Sequence, residues 1–352
     1  MAGKDRIGVR RGLSFGAVLL FLGLGAACVS FYMKRPSALW ERLFPIPEGE
    51  MRVVLIHPGT NARQIAQAFY DQDALTEPPA RLARWMARFS LDRSFQPGSY
   101  RVMRSDAWNL ARQLRAARPL LAKIALVPGT DLFSLRDLFT AERNPVFPES
   151  GDLLRHAVLD DGNYPEGMRA VLPKDEASRI AWLLPDTYFL ADGSPGELVR
   201  AAACAWWDRY GDSVRSTASQ DTLAASKVAS MVQREALWDA EAPSIAAVIR
   251  NRLKKGMLLQ IDATVVYALK LRGRKVTRVL HRDLSVDSPY NTYRFAGLPP
   301  HPICIPGSSA WDAALGSEKN PYYYYVARKD GYHYFASSYE EHLKNIKKAR
   351  SE

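Results

Sequence analysis

VLIHPGTNARQIAQAF, residues 54–69, spells out a strand, a turn and a helix in one line. Val54, Leu55 and Ile56 favour a strand, and Pro58-Gly59-Thr60 makes a turn. Asn61 stands where a helix needs a side-chain cap, and Ile65 and Phe69 recur at helical spacing. A second copy, IALVPGTDLFSLRDLF (residues 124–139), repeats this grammar with Asp131 in the capping position and Leu135 and Phe139 on the helix. QPGSY, residues 96–100, reads as a turn into another strand. The fold class expected is α+β. A small α+β module spans 51–120, and a larger mixed α/β domain spans 121–352, where YYYYVA (residues 322–327) is a strand.

Upstream of the module, residues 13–33 carry no charge, long enough for one membrane-spanning helix. Lys4, Arg6, Arg10 and Arg11 against Asp5 place a cytoplasmic tail at 1–12, although Lys34 and Arg35 weaken the asymmetry. Residues 34–50, with Pro36, Pro45 and Pro47, read as a linker. Two alternatives are a cleaved signal peptide ending at Gly25-Ala26-Ala27 and a lipoprotein site at Cys28. The apolar run continues through Val29, Phe31 and Tyr32, which favours a retained single-pass anchor in a bacterial inner membrane. The rest of the chain then faces the periplasm or the outside. Gly12-Leu-Ser-Phe-Gly16 matches a hydrolase elbow by letters alone, since it lies at the edge of the span with no strand before it.

Composition narrows the chemistry. Apolar residues make up 47% of the 352, so the chain packs a core and is not disordered. Three cysteines exclude a four-cysteine zinc site and a disulfide scaffold. Cys204 and Cys304 are left as one possible pair. No His-Glu-x-x-His occurs, so no metal and no cofactor is expected. The net charge of +11 favours polyanionic partners. Nucleic acid is the wrong polyanion for a domain outside the cytoplasm, and no RNA-binding aromatic signature or zinc-finger spacing is present.

AASKVASMVQREALW, residues 224–238, holds the carboxylate of interest. Val228, Met231, Val232, Glu235 and Trp238 fall on one helical stripe, so Glu235 sits among apolar residues. Desolvation there raises a carboxyl pKa and makes a proton donor near neutral pH. The plainer alternative is a glutamate paired with Arg234 or Arg250. A second helix is expected from Pro243 to Gly256. Asp262 is placed to cap a third, running through Val265, Val266 and Leu269. SPYNTY (288–293), GLPPHP (297–302) and Pro306-Gly307 are polar, aromatic loops stiffened by proline, suited to binding sugars.

The ordered motifs LPDTY (184–188), VQRE (232–235), NRL (251–253), Gly256-Met257, QIDAT (260–264) with Tyr267, SPYNTY, GLPP (297–300), Pro306-Gly307 and Tyr325-Val-Ala327 with His333 and Phe335 together resemble the YceG-like endolytic murein transglycosylases. The resemblance covers about 120–345. It implies a single membrane anchor, a LysM-like subdomain over 51–120 and a transglycosylase domain over 121–352. It also implies that Glu235 is catalytic, as the second glutamate of the family's Glu-x-Glu. The chain departs from the pattern at Gln233, the first position of that pair, and at Ile180-Ala181, where the family usually shows Glu-Gly.

The reaction so implied cleaves the β-1,4 bond between N-acetylmuramic acid and N-acetylglucosamine and leaves a 1,6-anhydro end. Gln260, Asp262, Thr264, Tyr290, Asn291 and Tyr293 are the candidates for the glycan groove, with Asn291 nearest the chemistry. His333 reads as a packed core histidine. Peptidoglycan strands are the expected partner, together with a peptidoglycan synthase (a penicillin-binding protein) whose nascent strands an anchored enzyme would terminate. The competing readings are a lysozyme-type hydrolase using Glu235 with Asp262 or Asp186, and a non-catalytic glycan-binding scaffold.

Overall fold

The computed structural model describes residues 45–46, 49–57, 59–91, 95–139, 150–191, 193–215, 219–274, 276 and 279–351. The expected membrane helix over 13–33 and most of the linker lie outside the described residues. Among the described residues no helix is long and apolar enough to cross a membrane. The chain divides into two compact units, one ending at Leu120 and the other beginning at Leu121.

In the first unit the order is β1 (Met51–Ile56), α1 (Ala62–Asp71), α2 (Pro79–Arg88), β2 (Gly98–Met103) and α3 (Ala107–Ala116). Strand β1 alternates, burying Val54 and Ile56 and exposing Met51 and Val53, the period of a strand with one wet face. It pairs antiparallel with β2, from Met51 opposite Met103 to Ile56 opposite Gly98. Asn61 caps α1 by accepting from the Arg63 and Gln64 N–H groups, and Gln64 returns the bond in a capping box, worth about 1 kcal/mol. Asp106 caps α3 in the same manner. Ile65, Phe69, Leu82, Met86, Tyr100, Leu110 and Leu114 close the core between sheet and helices.

The second unit is mostly helical, with two small antiparallel sheets, where the sequence suggests a mixed α/β domain. Its elements are β3 (Ala122–Ala125), α4 (Leu132–Asp137), α5 (Ser150–Leu159), α6 (Glu166–Arg169), α7 (Glu176–Arg179), β4 (Thr187–Leu190), α8 (Pro195–Arg215), α9 (Ser219–Glu235), α10 (Ala242–Lys254), α11 (Asp262–Leu271), α12 (Ser308–Leu315), β5 (Tyr324–Ala327), β6 (His333–Ala336) and α13 (Tyr339–Ser351). β3 pairs with β4, and β5 with β6. One core gathers Trp182, Trp206 and Trp311 around the middle of α8. A second packs α9, α10 and α11 together through Val232, Ile245 and Val265.

The repeated unit recurs in its turn. Thr60 Oγ1 donates to the His57 carbonyl at 2.8 Å, and Thr130 Oγ1 to the Val127 carbonyl at 2.7 Å. Gly59 and Gly129 take left-handed φ of 79° and 84°, a conformation open to a residue without Cβ. Asp131 caps α4 through the Ser134 N–H.

Some boundaries differ from the sequence expectation. Helix α9 stops at Glu235, so Trp238 leaves the stripe and stands 45% exposed in extended backbone. Pro243 falls in the first turn of α10, and Gly256 follows its end with φ of 69°. Asp262 is the first residue of α11 and not its cap. Ile261 takes the cap position without a side-chain bond. Cys204 is exposed, Cys304 is buried, and both are free thiols; the Cys304 thiol instead donates to the Ser230 carbonyl.

Candidate active site

Helix α9 turns its buried face, Val228, Met231 and Val232, into the core, and Glu235 continues that face at the last turn. The half-buried carboxyl is thus partly withdrawn from water at the negative end of a helix, two influences that both disfavour its charged form. Its pKa lies above the ordinary carboxylate value. Burial is the main cause; the neighbouring charge of Asp262 adds to it, while the Tyr325 hydroxyl, His333 and Arg234 oppose it. Tyr325, on β5, donates its hydroxyl to Glu235 Oε2 at 3.0 Å. The Tyr325 hydroxyl is itself held protonated by burial and by the facing carboxylate.

Behind Tyr325 stands a pair that sequence reasoning missed. His333, on β6, meets the Tyr325 ring edge-on at 5.2 Å. Its Nδ1 lies 2.8 Å from Glu241 Oε2, and its backbone N–H donates to Glu241 Oε1 at 2.9 Å. Glu241 follows Glu235 by one short connection, yet it is 9% exposed and fully engaged. The reading of His333 as a packed residue fits these contacts, but its carboxylate partner lies 92 positions away in sequence. No local pattern joins the two.

Two motif residues hold the hairpin in place. Asn251 Nδ2 donates to the carbonyls of Asn320 and Tyr322, both at 2.9 Å. Arg252, buried at 8% exposure, donates through Nε to the Tyr323 carbonyl and through Nη1 to the Leu259 carbonyl, each at 2.6 Å. A buried guanidinium spent on main-chain carbonyls is costly to leave unpaired. It ties α10, the segment before α11 and the start of β5 together.

The six groove candidates separate into two groups. Asp262 and Tyr293 meet at the surface beside Glu235, where the Tyr293 hydroxyl donates to Asp262 Oδ1 at 2.6 Å. Both groups act electrostatically with Glu235. Gln260 is exposed two residues before Asp262, with a left-handed φ of 53°. That backbone is uncommon for a residue with a side chain, and the Gln260 N–H bond to the Thr292 carbonyl helps to fix it. The other three are scaffold. Thr264 and Asn291 are 0% exposed. Thr264 bonds the Ile261 carbonyl and the Thr292 hydroxyl. Asn291 donates to the Leu284 and Val286 carbonyls and accepts from the Tyr293 N–H. Asn291 thus shapes the loop that presents Tyr293 and is itself enclosed there, whereas the sequence reading put it nearest the chemistry. Tyr290 is packed against Tyr267, with its hydroxyl 2.5 Å from His301 Nδ1.

The departures from the family pattern also have structural settings. Gln233 Oε1 accepts the Gly307 N–H at 2.7 Å and pins the proline-rich loop onto α9. An amide does this without placing a second negative charge near Glu235. Ile180 and Ala181 are 0% exposed within the tryptophan core, and the Ala181 carbonyl accepts from the Trp311 indole. A carboxylate at 180 would be buried there among apolar groups. Among the described residues no cluster of His, Cys, Asp and Glu is placed to hold a metal ion.

Comparison with known proteins places this arrangement. Residues 54–348 match the YceG-like family. An endolytic murein transglycosylase of Bacillus subtilis is 38% identical over 167 residues, covering 46% of this chain and 46% of that protein. One from Streptococcus pneumoniae is 27% identical over 235 residues, covering 64% of this chain and 42% of its own length. The chain thus spans less than half the length of these relatives. A crystal structure of a putative YceG-like protein from Listeria monocytogenes superposes with a TM-score of 0.53 at 27% identity, covering 84% of this chain and 99% of that one.

Proposed function

The chain belongs to the YceG-like family, and from that premise we propose that it is an endolytic peptidoglycan lytic transglycosylase, with Glu235 as its acid and base. The observation that carries the reading is the desolvated carboxyl of Glu235, raised in pKa and held by one phenol hydroxyl. A carboxyl so placed holds its proton to higher pH than an exposed one does, which is what a proton donor needs.

Glu235 protonates the bridging oxygen as the bond from muramoyl C1 to the N-acetylglucosamine O4 breaks. The carboxylate so formed takes the proton of the C6 hydroxyl of the same muramoyl residue. O6 then closes on C1 to give the 1,6-anhydro ring. The proton count balances, and the departing strand keeps its O4 hydroxyl. No water is consumed, so a second carboxylate to activate one is not required, and intramolecular geometry replaces it. Tyr325 steadies the carboxylate between its two roles. Asp262, Tyr293 and Gln260 are the groove residues we retain at the surface.

The order β1-α1-α2-β2, with its two strands antiparallel, supports a LysM-like reading of the first unit, which would grip N-acetylglucosamine along the strand. An anchor over 13–33, with the rest of the chain outside the inner membrane, would confine cutting to strands leaving a synthase and so end their elongation.

The test is mass spectrometry of purified glycan strands digested by the full-length chain in detergent, beside the Glu235→Gln variant. Anhydro-muramoyl ends from the parent and none from the variant are expected. Reducing ends would replace the transglycosylase by a hydrolase.

A further inference from the structure

Immediately after Glu235, the chain exposes apolar surface that the mechanism does not use. Leu237 is 68% and Trp238 45% exposed, and Tyr332 is 39% exposed on the turn of the β5–β6 hairpin. The two rings stack, with centroids 5.6 Å apart and planes 20° from parallel. They are not loose. The Trp238 indole N–H donates to the Asp330 carbonyl at 3.0 Å, and the Asp330 carboxylate takes the Tyr332 N–H and pairs with Arg328. Gly331 adopts a φ of 84°, and a Cβ there would come within 2.3 Å of Leu237 and 3.2 Å of the Trp238 indole nitrogen. The turn is therefore shaped to let this apolar shelf form.

A contiguous exposed apolar patch points to an interaction site more strongly than a single exposed ring does, and stacked amphipathic rings suit a partner with one apolar and one polar side. A pyranose is such a partner, with C–H groups on its face and hydroxyls at its rim. Trp238 lies three positions after Glu235, which limits their backbone separation to about 11 Å. The hairpin that carries Tyr332 also carries Tyr325, whose hydroxyl holds the Glu235 carboxyl.

We propose that Trp238 and Tyr332, edged by Leu237, form a sugar-stacking subsite that holds a neighbouring residue of the strand cut at Glu235. This rests on the transglycosylase reading in its choice of ligand. The subsite sets grip and strand-length preference and leaves the chemistry to Glu235.

The experiment reads binding and turnover separately. Binding of amidase-treated glycan strands is measured on the full chain carrying Glu235→Gln, with and without Trp238→Ala or Tyr332→Ala. Turnover and its pH profile are measured for the same two substitutions in the active chain. Each alanine is expected to weaken binding and raise KM about five- to tenfold. kcat at saturation, the anhydro product, the pH profile and the thermal midpoint should stay as in the parent, and Trp238→Phe should restore most of the grip. Unchanged binding in both variants would overturn the subsite and leave the shelf to a protein partner. A lowered thermal midpoint with a displaced pH profile would overturn it too, by showing that the rings only brace the hairpin. If the active chain cuts no strand, yet the alanines still weaken binding, the subsite stands and the transglycosylase reading falls.

Discussion

Glu235 and Glu241 engage the same face of the β5–β6 hairpin, through Tyr325 and His333, and are kept in opposite ways. Glu241 receives two donors from one residue, the His333 N–H and ring nitrogen, and is fixed as part of the frame. Glu235 receives one neutral hydroxyl and is half-buried, which raises its pKa. A carboxyl whose two oxygens are both engaged is fixed in place. One with a single neutral donor in a half-buried setting can trade its proton. The difference separates a frame residue from a candidate proton donor more sharply than their spacing in sequence does.

The largest effect expected tests that distinction at Glu235. Glu235→Gln should reduce strand cleavage by about a thousandfold, as loss of a general acid does. The same variant should be the more stable protein at neutral pH. The native pKa of Glu235 lies above its unfolded value, so the folded chain binds the proton more tightly than the unfolded one. Native stability therefore falls as pH rises from the unfolded pKa through the native one, and Gln removes that loss. Thermal midpoints of parent and variant should converge at acid pH, below the unfolded value, and separate toward neutrality. A variant that melts lower at every pH would break the comparison, because Glu235 would then be a frame residue like Glu241.

Next in size is Tyr325→Phe, which removes the hydroxyl that favours the charged form of Glu235. The native pKa of Glu235 should rise further. The alkaline limb of the pH–rate profile, where the acid loses its proton, should move to higher pH. Cleavage at neutral pH should fall about tenfold, in keeping with a hydrogen bond to a charged group. Glu241→Gln should then do the reverse of Glu235→Gln. It loosens the grip on His333 and should destabilise by about 1–3 kcal/mol, a drop of several degrees in a calorimetric scan. The pH limb should stay where it is.

How much of this was legible in the sequence depended on the range over which each feature is determined. The two Pro-Gly-Thr units were readable because every part of them is local: a glycine for the left-handed turn, a hydroxyl three residues from its acceptor, a capping side chain before the helix. Glu235 was readable because helical periodicity carries burial along α9 as far as its last residue. Trp238 was misplaced by the same periodicity, which does not mark where a helix stops. Asn291 looked reactive because a polar residue between two tyrosines resembles a binding loop. Its amide is consumed by carbonyls within the same loop, an accounting that needs coordinates. Glu241 with His333, and Arg252 with Tyr323, join segments far apart in the chain and left no periodic trace.

The smallest effect expected is the one that divides lytic from hydrolytic chemistry. Asp262 lies close enough to Glu235 for its charge to raise the Glu235 pKa, and its Oδ1 already accepts the Tyr293 hydroxyl. In a two-carboxylate hydrolase, Asp262 would activate water or attack C1, and Asp262→Asn would cost as much as Glu235→Gln. In the intramolecular reaction Asp262 only tunes its neighbour. Asparagine still accepts from Tyr293 while removing the like charge, so the Glu235 pKa should fall. The alkaline limb should then move to lower pH, opposite to its movement in Tyr325→Phe, with about a two- to threefold loss at neutral pH and anhydro ends still formed. Paired profiles moving in opposite directions would fix Glu235 as the single titrating acid between Tyr325 and Asp262, whereas a dead Asp262→Asn enzyme would make Asp262 its chemical partner.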